Sequence, residues 1–234
     1  KGKTADIVQA IQDQHQLTAM MHLTCVNATR EELEGVVADA KNRGVKNILA
    51  LRGDPPGGGD FEATEGGFEF SYQLVEMLKE KGDFSIGTAG FPEGHIHCTE
   101  GKHVDWERLA NKVSCGADFV ITQLFFDNAD YFVMVDHLRS KHDVQVPIIP
   151  GVLPIISARL IKRFTQLCGA KLPDALVQEL EARAEDDEAV KEFGIEFATK
   201  QIRELLDRGA PGVHFYTLNK ASSTRRIMEN VGLA

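Results

Sequence analysis

A chain of 234 residues, 43% of them hydrophobic and 26% charged, is long enough to bury the core of one α/β domain. The formal net charge of −9 and the pI near 5.4 argue against a nucleic-acid groove, which needs a concentrated basic surface. No apolar run approaches the roughly 20 residues of a membrane-spanning helix, and the start Lys-Gly-Lys-Thr-Ala-Asp lacks the apolar core of a signal peptide.

In chain order, a helix is expected over Thr4–Gln12, then a strand over Thr18–Leu23. Thr29–Arg43 reads as a helix, with Thr29 as N-cap, Glu32 completing a capping box and Gly44 as the stop. A strand over Asn47–Leu51 runs into Arg52-Gly53-Asp54 and a Pro-Pro-Gly-Gly-Gly loop at 55–59. The pattern repeats as helix Phe68–Lys81, strand Phe84–Ala89, helix Trp106–Ser114, strand Phe119–Leu124, helix Ala129–Lys141 and strand Pro147–Val152. Helices over Ala158–Leu167 and Val190–Arg208, a strand over Gly212–Thr217 and a helix over Ser223–Asn230 complete it. The acidic run Glu185-Asp186-Asp187-Glu188 suits the start of a helix.

Strands alternating with helices imply parallel strands joined by right-handed crossovers. Each strand is followed by polar or special residues: His22 and Thr24, Arg52 and Asp54, Glu93 and His95, Gln123 and Asp127, Pro154, then Tyr216 and Asn219. In a (β/α)8 TIM-type barrel these gather on one face, where such enzymes build their sites. Six strands do not close a barrel of eight, and a helix ahead of the first strand suggests that a βα series has begun earlier. The first two strands are therefore expected to be missing from this chain, which reads as a single, N-terminally incomplete barrel domain over residues 1–234.

Taken singly, the motifs leave the chemistry open. Arg52-Gly53-Asp54 puts two charges at a strand tip, where desolvation is costly unless they are paired or bind something; a structural ion pair or a loop-solvated Asp is the plain alternative. Gln123, beside Phe125 and Phe126, suits a heteroaromatic ring with mixed edges, and equally a strand end with core phenylalanines. Phe91-Pro92-Glu93-Gly94-His95 is a tight turn bearing a titratable His. Arg108, Asn111 and Lys112 share a helical face that suits a pyrophosphate or plain solvent. Cys25, Cys98, Cys115 and Cys168 form no CxxC pair and fit the reduced thiols of a cytoplasmic protein. His95, His97 and His103 lack the cysteine partners or HExxH helix of a zinc site, so no metal is expected. There is no GxGxxG fingerprint, Walker lysine or GxSxG elbow.

Together, the strings HLTC (22–25), NILALRGDPP (47–56), GGFEFSYQLV (66–75), AGFPEGH (89–95), KVSCGADFVITQLFFD (112–127), PIIPGVLPI (147–155) and GVHFYTLNK (212–220) resemble the flavin-dependent methylenetetrahydrofolate reductase family. The resemblance implies a (β/α)8 barrel binding FAD at the C-terminal ends of its strands. NADH or NADPH reduces the flavin, which passes hydride to methylenetetrahydrofolate and yields 5-methyltetrahydrofolate, in one-carbon and methionine metabolism. By match to the family's motifs, His22, Arg52, Gly53, Asp54, Phe70, Ser71, Phe91, His95, Cys98, Asp105, Arg108, Asn111 and Lys112 face FAD. Asp54, Gln123, Tyr216 and Lys220 face substrate, with Asp54 and Gln123 as the catalytic pair. A carboxylate at Asp54 would stabilise the electron-poor folate iminium that accepts hydride, and disfavour an anionic reduced flavin.

Three departures stand against this pattern. The family's FEFFPP strand, whose Glu protonates the folate nitrogen, is absent, and Phe68-Glu69-Phe70 matches a later helix start instead. The second strand, with its flavin-contacting Thr, is also missing. Lys220 replaces the usual Arg, which loses a bidentate partner for a carboxylate, and Ala158 stands where some members place a Phe. An alternative therefore stays open at this point: a flavin- or folate-binding subunit without reductase activity, completed by a partner. The sequence leaves the choice between NADH and NADPH open, and a homo-oligomer too.

Overall fold

A computed structural model describes residues 2–55, 57, 59 and 61–233, so Pro56 and Gly58 of the expected loop at 55–59 lie outside the described residues. The fold is parallel α/β. Its strands are β1 (Met20–Thr24), β2 (Asn47–Leu51), β3 (Ser85–Gly90), β4 (Phe119–Leu124), β5 (Ile148–Val152) and β6 (His214–Phe215), in sheet order β1-β2-β3-β4-β5-β6. The helices are α1 (Gly2–His15), α2 (Arg30–Asn42), α3 (Ser71–Lys81), α4 (Lys102–Ser114), α5 (Asn128–His142), α6 (Ala158–Cys168), α7 (Asp174–Glu181), α8 (Asp187–Asp207) and α9 (Ala221–Val231). Every expected strand and helix is present, with shifted ends at several.

The helix ends follow local chemistry. Thr29 Oγ1 accepts from the Glu32 N–H while the Glu32 carboxylate accepts from the Thr29 N–H, closing the capping box on α2. Asp186 caps α8 by accepting from the Glu188 and Ala189 N–H groups, so the acidic run is a helix start. Asp127 does the same for α5. α4 begins at Lys102, four residues earlier than expected, just past Gly101 in the left-handed region; Asp105 therefore lies in its first turn. Helix α7 was not anticipated. β6 is a two-residue strand instead of the six expected.

The chain divides into two compact units. The first comprises residues 1–89 and 108–120. Here β1, β2 and β3 pair in parallel, with Met21 opposite Ile48 and Ile48 opposite Ile86. These residues, with Leu23 and Ala50, form a core with Leu33 and Val37 of α2 and Leu74, Val75 and Leu78 of α3. Side chains alternate across a strand, so the opposite face carries His22, Leu49 and Gly87. The absent side chain of Gly87 leaves room for the Phe119 ring, 2.4 Å from where a Cβ would stand. Full burial of each large aliphatic in such a core contributes about 1.5–3 kcal/mol.

The second unit comprises residues 90–107 and 121–234. Its core gathers Leu124, Phe126, Leu153, Ile155, Ile161, Leu176, Leu180 and Val190. β5 pairs in parallel with β6, Gly151 lying opposite His214. Gly194 lets α8 lie directly on the exit of β5, since a Cβ there would stand 1.9 Å from the Ile155 carbonyl oxygen. Gln201 of α8 donates to the Phe125 carbonyl at 2.9 Å, and Asn128 donates to the Gln201 carbonyl at 3.1 Å.

Candidate functional site

In the first unit, the expected residues sit at the ends of β1 and β2 and on the helices that follow. His22 is on the face of β1 away from the helices, and partial desolvation lowers its pKa below the usual imidazole value although part of the ring is exposed. The main chain then links the two strand exits: the Cys25 N–H donates to the Leu51 carbonyl at 3.2 Å and the Val26 N–H to the Arg52 carbonyl at 2.8 Å. The buried Cys25 thiol donates to the same Arg52 carbonyl at 3.5 Å. Gly53 has φ 82°, and a Cβ on it would stand 2.7 Å from Val26 Cγ1 and 2.9 Å from Thr24 Cβ. Only glycine fits that position on both counts.

The Arg52 guanidinium lies over the Phe61 ring, 4.8 Å from its centroid. Asp54 is exposed at the mouth of the strand, and no ion pair joins it to Arg52. Of the two plain readings that the motif alone allowed, the structural ion pair is not formed, and the exposed Asp54 matches the loop-solvated carboxylate. Phe70 is the N-cap residue of α3, 47% exposed and stacked on Tyr72, with Ser71 opening the helix. Lys112 reaches from α4 to the end of β3, its ammonium donating to the Ala89 carbonyl at 2.9 Å. Arg108 and Asn111 are exposed on the same helix.

In the second unit, the loop after β3 is a compact turn. The Phe91 and His95 rings meet edge to face at 4.5 Å, and the fully buried Trp106 donates its indole N–H to the Phe91 carbonyl at 2.9 Å. The Cys98 N–H donates to the His95 carbonyl, and the Cys98 thiol to the Gly101 carbonyl. Asp105 follows in the first turn of α4. The Glu93 carboxylate accepts from the Lys171 N–H, but burial dominates and raises its pKa.

Gln123 is half-buried at the end of β4, where its carbonyl oxygen accepts from the Leu124 N–H at 3.0 Å. The aromatics beside it, Phe125 and Phe126, are buried: the first stacks on Tyr131 at 5.7 Å and the second belongs to the core. They are packing groups, as the blander reading of that motif had it. Tyr216 lies across Gly151, donates its hydroxyl to the Thr122 carbonyl at 2.9 Å, and has its pKa pushed up to about 12 by burial. Lys220 is exposed as the N-cap residue of α9, and Ala158 packs at the edge of the core.

Sequence reasoning missed Phe61, which stands in a loop without periodicity, and the group around His137. His137 lies 4.9 Å from His103, 5.3 Å from His142 and 5.2 Å from Trp106, ring centre to ring centre. Its pKa is lowered, by burial first and then by the neighbouring imidazoles. A folded-state pKa below the unfolded value means that unfolding takes up a proton as the pH falls. The stabilising contribution is therefore complete above the unfolded pKa of about 6.5 and is lost as the pH falls below it. His137→Gln is expected to lose less melting temperature than the parent between about pH 7.5 and 5.5; equal losses would count against this coupling. Among the described residues, no group of three or more His, Cys, Asp or Glu side chains is placed to hold a metal ion. Nor is any helix among them long and apolar enough to cross a membrane.

A family model described as methylenetetrahydrofolate reductase matches residues 1–232. The chain is 35% identical over 234 residues to the 5,10-methylenetetrahydrofolate reductase of Escherichia coli, covering 100% of this chain and 76% of that protein. It is 38% identical over 247 residues to methylenetetrahydrofolate reductase (NADH) 1 of Arabidopsis thaliana and 37% identical over 251 to methylenetetrahydrofolate reductase 2 of Schizosaccharomyces pombe. Each alignment covers 99% of this chain, which spans only 42% and 39% of those two relatives. A solved protein from Clostridium thermocellum, described as binding two copies of 5-methyl-5,6,7,8-tetrahydrofolic acid, shares the fold with a TM-score of 0.56 at 14% identity. That match covers 96% of this chain and 77% of the other. By the family match over residues 1–232 and by its identity to these reductases along the whole chain, the protein belongs to the methylenetetrahydrofolate reductase family.

Proposed function

We propose that the chain is the catalytic part of a methylenetetrahydrofolate reductase, using FAD to move hydride from NADH or NADPH to 5,10-methylenetetrahydrofolate. The observation that carries this reading is the family match along residues 1–232 together with the Arg52-Gly53-Asp54 turn at the exit of β2. On this reading the six strands belong to one (β/α)8 barrel domain, completed by two strands outside these 234 residues, and the proton-donating Glu is carried there. The relatives' names cover both NADH and NADPH. Cysteines that form no disulfide among the described residues suit a cytoplasmic protein.

The residues present fit FAD by their donor chemistry. Arg52 and Lys112 supply cations suited to a pyrophosphate, Asp105 an acceptor suited to a ribose hydroxyl, and His22 and Ser71 further polar contacts. Gly53, Phe70, Phe91, His95, Cys98, Arg108 and Asn111 complete the set that would hold the cofactor. When bound, FAD supplies a two-electron carrier that accepts hydride from nicotinamide and yields it to a carbon acceptor. Asp54 then stabilises positive charge developing on the folate. Gln123 orients the pterin and, in the other half-reaction, the nicotinamide, because its amide both donates and accepts. Tyr216 stays protonated at neutral pH and, with Lys220, borders the folate.

The test is direct. The full-length protein, purified and treated with acid, is expected to release FAD and to oxidise NADH or NADPH in the presence of methylenetetrahydrofolate. Release of FMN, or of no flavin, would overturn the cofactor assignment. FAD without turnover would favour a binding subunit over an enzyme.

A further inference from the structure

The Arg52 main chain is fixed from β1, through its carbonyl, which accepts from the Val26 N–H at 2.8 Å and the Cys25 thiol at 3.5 Å. Its side chain is a separate matter. Among the described residues no carboxylate pairs with the guanidinium, and its one close neighbour of opposite character is the face of Phe61, 4.8 Å from the guanidinium carbon. Phe61 follows Arg52 by nine positions, after a stretch with no large apolar side chain between Asp54 and Asp60. The Phe61 ring is half-buried and lies over this cation, the arrangement in which a ring face attracts a guanidinium.

We infer that Phe61 is a positioning residue for Arg52: its ring holds the guanidinium in one orientation and shields one face from water, so that the remaining N–H groups are preset for an anionic ligand. The inference rests on the reading above, in which that ligand is FAD. An arginine carries several rotatable bonds, and immobilising it at the moment of binding opposes affinity. A ring that has already ordered it removes part of that opposition. The covered face also weakens competition from solvent for the charge.

The experiment is a double-mutant cycle on FAD affinity, measured on apoprotein by quenching of flavin fluorescence, with the visible flavin spectrum as a second readout. Four variants of the full-length protein are compared: Phe61→Leu, Phe61→Tyr, Arg52→Ala and the Arg52→Ala/Phe61→Leu double variant. Phe61→Leu, which keeps an apolar group but no aromatic face, is expected to weaken FAD binding about 3- to 10-fold, and Phe61→Tyr less than about 2-fold. In the Arg52→Ala background, Phe61→Leu is expected to add nothing, because the group it acts through is gone. Additive losses overturn the inference, as does a Phe61→Leu variant that binds like the parent. So does loss of fold in Phe61→Leu with the same loss in Phe61→Tyr, which would make the ring a plain packing element. A parent protein that takes up no FAD overturns the functional reading and this inference together; normal uptake with an additive cycle overturns the inference alone.

Discussion

Asp54→Asn is expected to slow hydride transfer to folate on the order of 10²–10³-fold while slowing reduction of the flavin by NADH or NADPH far less. The substitution keeps size and shape, so it should leave the turn intact. That turn is held by backbone contacts, from the Val26 N–H to the Arg52 carbonyl and around Gly53, and none of them uses the Asp54 side chain. The carboxylate is exposed and not consumed by an ion pair with Arg52, so its charge is available to a bound molecule. What the variant removes is therefore charge alone. Charge matters most where the opposite charge develops, and in the proposed reaction that is on the folate as the methylene carbon becomes electron-poor. Losing one such preorganised group, once bound ligand has displaced the water around it, typically costs about 2.7–4 kcal/mol of barrier. Stopped-flow traces of the two half-reactions separate the effects. Equal slowing of both would assign Asp54 to flavin binding and not to folate chemistry.

Much of the fold was legible because the signals were local. The capping box at Thr29 and Glu32, the acidic helix start at 185–188 and the apolar run Ile48–Leu51 each carry their own physical cause, and each element was found close to where expected. What failed depends on distant partners. Helix α7 has eight residues, with Leu176 and Leu180 its only buried positions, and so short a stretch shows little periodicity. β6 is short because Gly212, at φ 156°, precedes it and Leu218 and Asn219 turn into the left-handed region after it. Only His214 and Phe215 run alongside Gly151 and Val152. The residues at strand exits could be named because each directly follows or ends a strand that the sequence marks, whereas Phe61 could not be read at all. Its meaning comes from a partner nine residues away across a loop with no pattern. Likewise, nothing in Thr122-Gln123-Leu124-Phe125-Phe126 distinguishes the half-buried amide from the two core rings except strand alternation, which ends where the strand ends.

Gly151→Ala is expected to be among the most destabilising single-methyl additions to this chain. On β5, Gly151 donates its N–H to Thr122 Oγ1 at 2.9 Å, so it is tied to the neighbouring segment of β4. A Cβ at this position would stand 2.2 Å from the Thr122 carbonyl oxygen and 2.7 Å from Cε2 of Tyr216. Two things must then give. The Thr122 carbonyl is main chain and moves only with its strand; the Tyr216 ring can swing away only by breaking its hydroxyl bond to that same carbonyl, 2.9 Å long. Overpacking of this kind costs about 1–3 kcal/mol, and leaving a buried hydrogen bond unmade adds about 1–3 kcal/mol. At about 2–4 °C per kcal/mol for a domain of this size, the melting temperature should fall by about 4–24 °C. Gly35, inside α2, is the natural control: a Cβ there meets nothing within 4 Å, and Gly35→Ala should raise stability by about 0.5–1 kcal/mol through helix propensity. Because Tyr216 is also proposed to border the folate, Gly151→Ala should raise the KM for methylenetetrahydrofolate more than that for the nicotinamide. Adding Tyr216→Ala to Gly151→Ala should recover little stability, since the Thr122 carbonyl clash remains and the hydroxyl bond is lost in either case. A Gly151→Ala protein melting within about 1 °C of the parent, where the control behaves as expected, would mean that β4 and β5 separate more readily than this packing allows.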